Sequence, residues 1–196
     1  MKRAEKRDHL IDVAATLFNR NGYHAAGIDR LIEEAGIAKT TLYRHFETKD
    51  SLILAVLRHI DEGFRDDMRR FVEEHGRTPR DRILATFDYL EEWFESEAFH
   101  GCPFISAAAE FGDETSAVFR EAAAHKRLVV AYLEELTHTG GFAEPKRLAQ
   151  EINLLIEGAT AVAHVTRSAA PARCARLMAA QILDALPSPA GSCTAD

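Results

Sequence analysis

The sequence predicts an all-α protein of about nine helices, a three-helix head followed by a larger helical domain. Three observations carry that expectation. No segment alternates polar and apolar residues with a period of two, as a strand with one buried face would. Apolar residues recur instead at three- and four-residue steps along most of the chain. The glycines and prolines, 11 and 6 in 196 residues, fall mostly between those periodic stretches, where they stop one helix and start the next.

The first helix is expected over 3–21. Leu10, Val13, Ala14, Leu17 and Phe18 form its inner stripe, Arg3, Lys6 and Arg7 sit in its first turns, and Asn21-Gly22 ends it. From Gly22 to Asp50 the chain reads as two short helices about a tight turn, a helix-turn-helix over about 27–46. Gly27 is tolerated as an N-cap. Ile28, Leu31, Ile32 and Ala35 make one apolar face, and Gly36 breaks the helix. The next helix turns Leu42 and Phe46 inward. Its other positions, Lys39, Thr40, Thr41, Tyr43, Arg44 and His45, are all hydrogen-bond donors. A helix too short to be stable alone, braced on a second helix and carrying donors outward, suits the major groove of DNA. The plain alternative is a helical hairpin with a polar surface.

Thr48 caps a long fourth helix running to about Glu74, along which Leu52, Val56, Ile60, Phe64, Met68 and Val72 recur every four residues. Thr78 and Pro79 start the fifth, about 79–96, which buries Ile83, Phe87, Leu90, Trp93 and Phe94. Pro103 opens a short sixth helix to Phe111. The seventh, about Thr115 to Thr137, carries Val118, Ala122, His125, Val129, Tyr132 and Leu136, and Gly140-Gly141 ends it. The eighth, about Glu144 to Ala169, carries Leu148, Ile152, Leu155, Ile156, Ala159, Val162 and Ala163. The ninth, about Pro171 to Leu186, carries Ala175, Met178, Ile182 and Ala185. These divide into a DNA-binding head over 1–48, a helical domain over 49–187 and a disordered tail over 188–196, within the stretch PSPAGSCTAD.

Composition excludes several classes. No apolar run approaches the ~20 residues that span a membrane. The charged N-terminus MKRAEKRDHL lacks the apolar core of a signal peptide, which points to a cytoplasmic protein. Cys102, Cys174 and Cys193 are odd in number and widely spaced, so neither a disulfide framework nor a Cys-x-x-Cys metal site is expected. The nine histidines form no HExxH or Cys/His cluster, and no cofactor loop, nucleophile–base pair or suitably spaced carboxylate pair is present. We therefore expect no metal, no cofactor and no enzyme. The net charge of −7 is uneven: residues 1–50 hold nine Lys/Arg and eight Asp/Glu, net +1, and the remaining fifteen and twenty-three give net −8. The head can still meet phosphate, because only charges within a Debye length of the DNA act on it.

Gly22-Tyr23, Ile28-x-x-Leu31, Ala35-Gly36-Ile37-Ala38-Lys39, Thr41-Leu42-Tyr43-Arg44-His45-Phe46 and Lys49-Asp50-x-Leu52 together resemble the tetracycline-repressor (TetR) family of bacterial transcription regulators. Gly101-Cys102-Pro103-Phe104 and Ala108-Ala109-Glu110-Phe111 are similar to a segment of many members. Ala26-Gly27 departs from the pattern, since members usually place there a Thr that caps the helix and touches a phosphate. The resemblance implies a homodimer built from the last two helices. It implies a palindromic double-stranded DNA operator, bound usually as a repressor, and a small effector in the C-terminal domain that releases the DNA.

The same residues suggest individual roles. Lys39, Thr40, Tyr43 and Arg44 face base edges and groove walls, with Arg44 suited to bidentate readout of guanine. Tyr43, His45 and Lys49 are assigned to phosphates, with Thr41 among the donors of the same helix, and Lys49 also at a helix start that favours anions. Leu31, Leu42 and Phe46 are scaffold. For the dimer, the small residues Gly158, Ala159, Ala161 and Ala163 of helix eight allow close approach beside Val162, and helix nine adds Ala175, Met178 and Ile182. Phe64, Met68, Phe87, Trp93, Phe104, Phe111, His125 and Tyr132 lie on inward stripes and suggest an apolar or aromatic effector. His125 interrupts an apolar stripe, as a hydrogen-bonded core histidine or a ligand contact, with Glu110 as a candidate partner. Cys102 at a helix start suits either a buried structural role or a thiol sensor of oxidants or electrophiles. The reading from another class is a helical small-molecule-binding protein or enzyme without an operator.

Overall fold

The computed structural model describes residues 3–186. The tail expected over 188–196, with Cys193, lies outside the described residues. Among the described residues there are nine helices and no strand: α1 (Arg3–Asn21), α2 (Ile28–Ala35), α3 (Lys39–His45), α4 (Lys49–His75), α5 (Pro79–Glu95), α6 (Pro103–Glu110), α7 (Ala117–Thr139), α8 (Pro145–Thr166) and α9 (Ala170–Asp184).

The ends are set by local chemistry. α2 stops where Gly36 turns left-handed at φ 63°. The N–H of Gly36 then donates to Glu33 O and that of Ile37 to Ile32 O, both at 3.1 Å, a Schellman closure that satisfies the last carbonyls. At the start of α4, Ser51 N–H donates to Thr48 Oγ1 and Thr48 N–H to Ser51 Oγ, a reciprocal cap with Ser in place of the usual Glu. Thr78 and Asp81 form the same box at α5, with Pro79 behind the cap. Several ends differ by one to three residues from the sequence reading, among them the end of α7 at Thr139 and of α9 at Asp184, and two of the differences have a local cause. α7 begins at Ala117 instead of Thr115, because the Asp113 carboxylate accepts both the N–H and the hydroxyl of Thr115 and keeps that residue in a turn. α8 ends at Thr166 instead of near Ala169, because Arg167 adopts φ 54° and caps it. A left-handed arginine carries no glycine-like signal.

Packing divides the chain into two compact units, one comprising residues up to Phe64 with Cys102–His125, the other Arg65–Gly101 with the residues from Lys126 onward. The first has a single core. Leu10, Ala14, Leu17 and Phe18 of α1, Leu31 of α2, Leu42 of α3 and Leu52, Ile53, Val56 and Leu57 of α4 are buried together with Phe104 and Ala107 of α6 and Val118 and Ala122 of α7. Each buried Leu, Ile or Phe contributes about 1.5–3 kcal/mol by leaving water. Ile53 and Leu57 were missed by the four-residue stripe, while Ile60 and Phe64, which belong to it, are only half-buried.

In the second unit α9 packs on α5 and α8; its buried residues include the small Ala172, Ala175 and Ala179, and Ile83, Phe87 and Leu90 of α5 and Ile152 and Ile156 of α8 are buried as well. Arg176 reaches Asp88 at 2.6 Å, Arg80 reaches Asp184 at 2.8 Å, and Arg173 pairs with Glu91. Arg69 holds Glu135 through both guanidinium nitrogens and lies 4.5 Å over the Tyr132 ring. No helix among the described residues is long and apolar enough to cross a membrane.

Candidate nucleic-acid interface

Leu42 is fully buried on α3 and Phe46 nearly so. That leaves Lys39, Thr40, Tyr43 and Arg44 exposed on the opposite face, where a helical repeat places positions i, i+1, i+4 and i+5 together. Thr41 and His45 flank this face and are half-buried. The four outward residues are therefore presented side by side, while Leu31 beneath them, also fully buried, sets the crossing of α2 and α3.

Their electrostatics differ. Lys39 Nζ lies 3.0 Å from Asp29 Oδ1 on α2, and this hydrogen bond, with the carboxylate charge, raises the Lys39 ammonium above its usual value. The pair is exposed on both sides and readily exchanged for another anion. Arg44 is exposed and carries five N–H donors. Lys49 donates to the His24 carbonyl at 3.1 Å. Burial pushes its ammonium down, partly countered by the charges of Glu110 and Asp50.

The turn before α2 is held from α6. Glu110 Oε1 accepts the Tyr23 N–H at 2.8 Å. Oε2 accepts the His24 N–H at 2.6 Å and lies 2.9 Å from Nδ1 of the His24 ring. Burial alone would raise the Glu110 carboxyl, but the donations from His24 and Tyr23 together hold it below the usual carboxylate value. The Tyr23 hydroxyl donates to Pro103 O at 3.0 Å, and burial pushes its phenol well up. Phe111 stacks on the His24 ring at 4.7 Å. Gly22 sits at φ 84°, and a Cβ there would stand 2.9 Å from Glu110 Oε1. Glycine is needed twice over, for its backbone and for the carboxylate beside it.

Glu110 is thus not the partner of His125, and that expectation is corrected. His125 is buried, its Nδ1 is 2.7 Å from Asp61 Oδ1, and its ring stacks on Phe104 at 3.6 Å with Phe64 edge-on at 5.8 Å. Glu110 is drawn away by two backbone donors, which form a better site for a carboxylate than one imidazole.

Of the eight aromatic or apolar residues expected to face an effector, Phe64, Phe104 and His125 come together. Phe111 serves the turn at His24. Met68 and Phe87 are core, Trp93 packs edge-on against Phe99 at 4.9 Å, and Tyr132 lies under Arg69. Cys102 is buried and caps α6, an environment that suits an inert structural cysteine. Among the described residues no group of three His, Cys, Asp or Glu is placed to hold a metal ion.

The residues expected at a dimer interface split. Ala159 and Ala175 are buried within the chain between α8 and α9. Gly158, Val162 and Met178 are exposed and line, with Leu154, Leu155, Pro171 and Cys174, an apolar groove of about 580 Å³, while Ile182 is half-buried. Leu154, Val165 and Leu177, 71%, 82% and 64% exposed, add to this face and were missed because they lie off the inward stripes.

The family model for the N-terminal region of bacterial regulatory proteins of the tetR family matches residues 10–56. The model for a tetracyclin repressor-like C-terminal domain matches residues 79–179. The HTH-type transcriptional activator FasR of Mycolicibacterium smegmatis is 40% identical over 95 residues, 46% of this chain and 43% of that protein. The HTH-type transcriptional regulator LmrA of Bacillus subtilis is 27% identical over 176 residues, 87% of this chain and 93% of that one. The crystal structure of SCO4454, a regulator from Streptomyces coelicolor, superposes with a TM-score of 0.86 at 28% identity, covering 92% of this chain and 95% of the other.

Proposed function

Because this chain belongs to the TetR family of bacterial regulatory proteins and is a DNA-binding transcription regulator, we propose that it is a repressor, bound as a homodimer to a palindromic operator and released by a small apolar or aromatic effector. It acts in the cytoplasm, through binding and not catalysis. The observation that carries the DNA-contact assignment is the exposed row Lys39, Thr40, Tyr43 and Arg44 on a helix whose opposite side is fully buried. Within a DNA-contacting segment of about residues 1–48, these residues read base edges. Tyr43, His45 and Lys49, the last at the first turn of α4, take phosphates, with Thr41 among the donors of the same helix.

One such head covers only a few base pairs, so useful affinity requires two heads on adjacent half-sites about one helical turn apart. The exposed apolar face of α8 and α9 supports pairing with a second copy, because a lone chain rarely leaves so many large apolar side chains in water. Phe64, Phe104 and His125 are the residues we assign to an effector, as an aromatic wall with one polar group. Mobility shift of the full-length protein with its own upstream DNA, against random DNA at several salt concentrations, tests the operator. Equal affinity for both DNAs at every salt concentration would contradict it. Screening small apolar and aromatic compounds for release of that complex tests the effector class.

A further inference from the structure

His24 is bonded on both sides of its α-carbon. Its N–H is taken by Glu110 from α6, at 2.6 Å, and its carbonyl by the Lys49 ammonium from the first turn of α4, at 3.1 Å. The same carboxylate takes the neighbouring Tyr23 N–H, and Gly22 leaves space for it. Residues 86 apart in the chain are therefore joined by one carboxylate, and the backbone it grips is the one on which Lys49 rests. An ammonium has three N–H donors. The one spent on His24 O fixes the direction of the other two.

Resting on the assignment of Lys49 to an operator phosphate, we propose that Glu110 is a positioning residue for DNA binding, which fixes the His24 backbone and, through it, the place from which Lys49 reaches that phosphate. The sign of the effect separates this role from simple charge. A carboxylate in a DNA-binding unit repels phosphate, so its removal on electrostatic grounds alone tightens binding. Its removal as a positioning group loosens binding, because the Lys49 contact is lost.

The test uses the full-length protein, its own upstream DNA and a random duplex of equal length, titrated by fluorescence anisotropy across a salt series. Glu110→Asp keeps the charge and withdraws it by one methylene, so it cannot reach both N–H groups. Glu110→Gln keeps the length and removes the charge. In both, affinity is expected to fall about fivefold at ~0.15 M salt on both DNAs, the factor that one phosphate contact carries at a slope of ~0.9. The salt slope should drop by about one unit, as in Lys49→Ala. Glu110→Asp combined with Lys49→Ala should lose no more than Lys49→Ala alone. Tyr23→Phe removes the bond to Pro103 and serves as the control for a merely structural loss: its melting temperature falls while its slope stays at the wild-type value. A wild-type slope in Glu110→Asp, tighter binding in either variant, or full additivity with Lys49→Ala overturns the proposal. If Glu110→Asp does not melt cooperatively, Glu110→Gln decides by the same criteria. A wild-type protein that prefers neither DNA, or binds none, refutes the operator reading instead.

Discussion

Nδ1 of His125 lies 2.7 Å from Oδ1 of Asp61, so an imidazole that is only 4% exposed is tied to a carboxylate of another helix. The pair turns a polar interruption of the α7 stripe into part of the core, with Phe104 covering one ring face. Asp61→Ala removes that hydrogen bond from a buried donor and is expected to cost about 1–3 kcal/mol. A urea denaturation midpoint equal to the wild type would show that the pair contributes nothing to stability.

Arg44→Ala should cost about 1–3 kcal/mol at the operator and relax the preference at one base pair. The arginine is exposed and buries nothing, so thermal stability should be unchanged. Anisotropy titrations on the operator and on variants of it at single positions are the measurement. Equal losses on operator and random DNA would move Arg44 from base reading to phosphate contact.

Acid should erase the stabilising part of the Glu110 contact. The folded carboxyl lies below its usual value, because the donors from His24 and Tyr23 outweigh the burial that would raise it. A depressed carboxyl stabilises the fold above its unfolded value of about 4.3 and loses that contribution as pH falls through the folded value. The stability difference between wild type and Glu110→Gln is therefore greatest at neutral pH and narrows below about pH 4. Chemical denaturation at a series of pH values reads it, and a pH-independent gap would mean that the ionised form is not what the turn holds.

Met178→Glu and Val162→Glu each place a charge on the exposed apolar face of α8 and α9. Neither disturbs the chain's own core. Light scattering at micromolar concentration should find the wild type dimeric and the double variant monomeric, with operator affinity lost in parallel. A double variant that stays dimeric would place the interface elsewhere.

The helices were legible because each carries its own signals. Gly36 and Ile37 close α2 from within four residues, Thr48 caps α4 and Thr78 caps α5, and α3's inward Leu42 is defined by its neighbours. The outward donor row on α3 was legible for the same reason, since a helix fixes which of seven consecutive residues share a face. The Glu110 site was not. Gly22-Tyr23 and Glu110-Phe111 both stood out as motifs, yet nothing in a linear pattern says that a carboxylate from α6 meets two amides of a turn in the head. His125 shows the same limit from the other side. Its burial followed from periodicity, and its partner depended on which of two carboxylates the fold brings closer. The aromatic stripes did not show which of those residues share one environment: Phe111 and Trp93 are half-buried and Tyr132 buried, each against different neighbours.

The crossing of α2 and α3 is held by Leu31, by Leu42 and by the main-chain bonds of Gly36 and Ile37, none of which belongs to the outward row, though Lys39 of that row adds an exposed bond to Asp29 on α2. If that row reads the operator as proposed, folding and recognition draw largely on separate atoms of the same few turns. On that proposal the row Lys39, Thr40, Tyr43 and Arg44 can be rewritten with little penalty to the scaffold, so a duplicated copy of the chain could acquire a new target in few substitutions while inheriting its architecture intact.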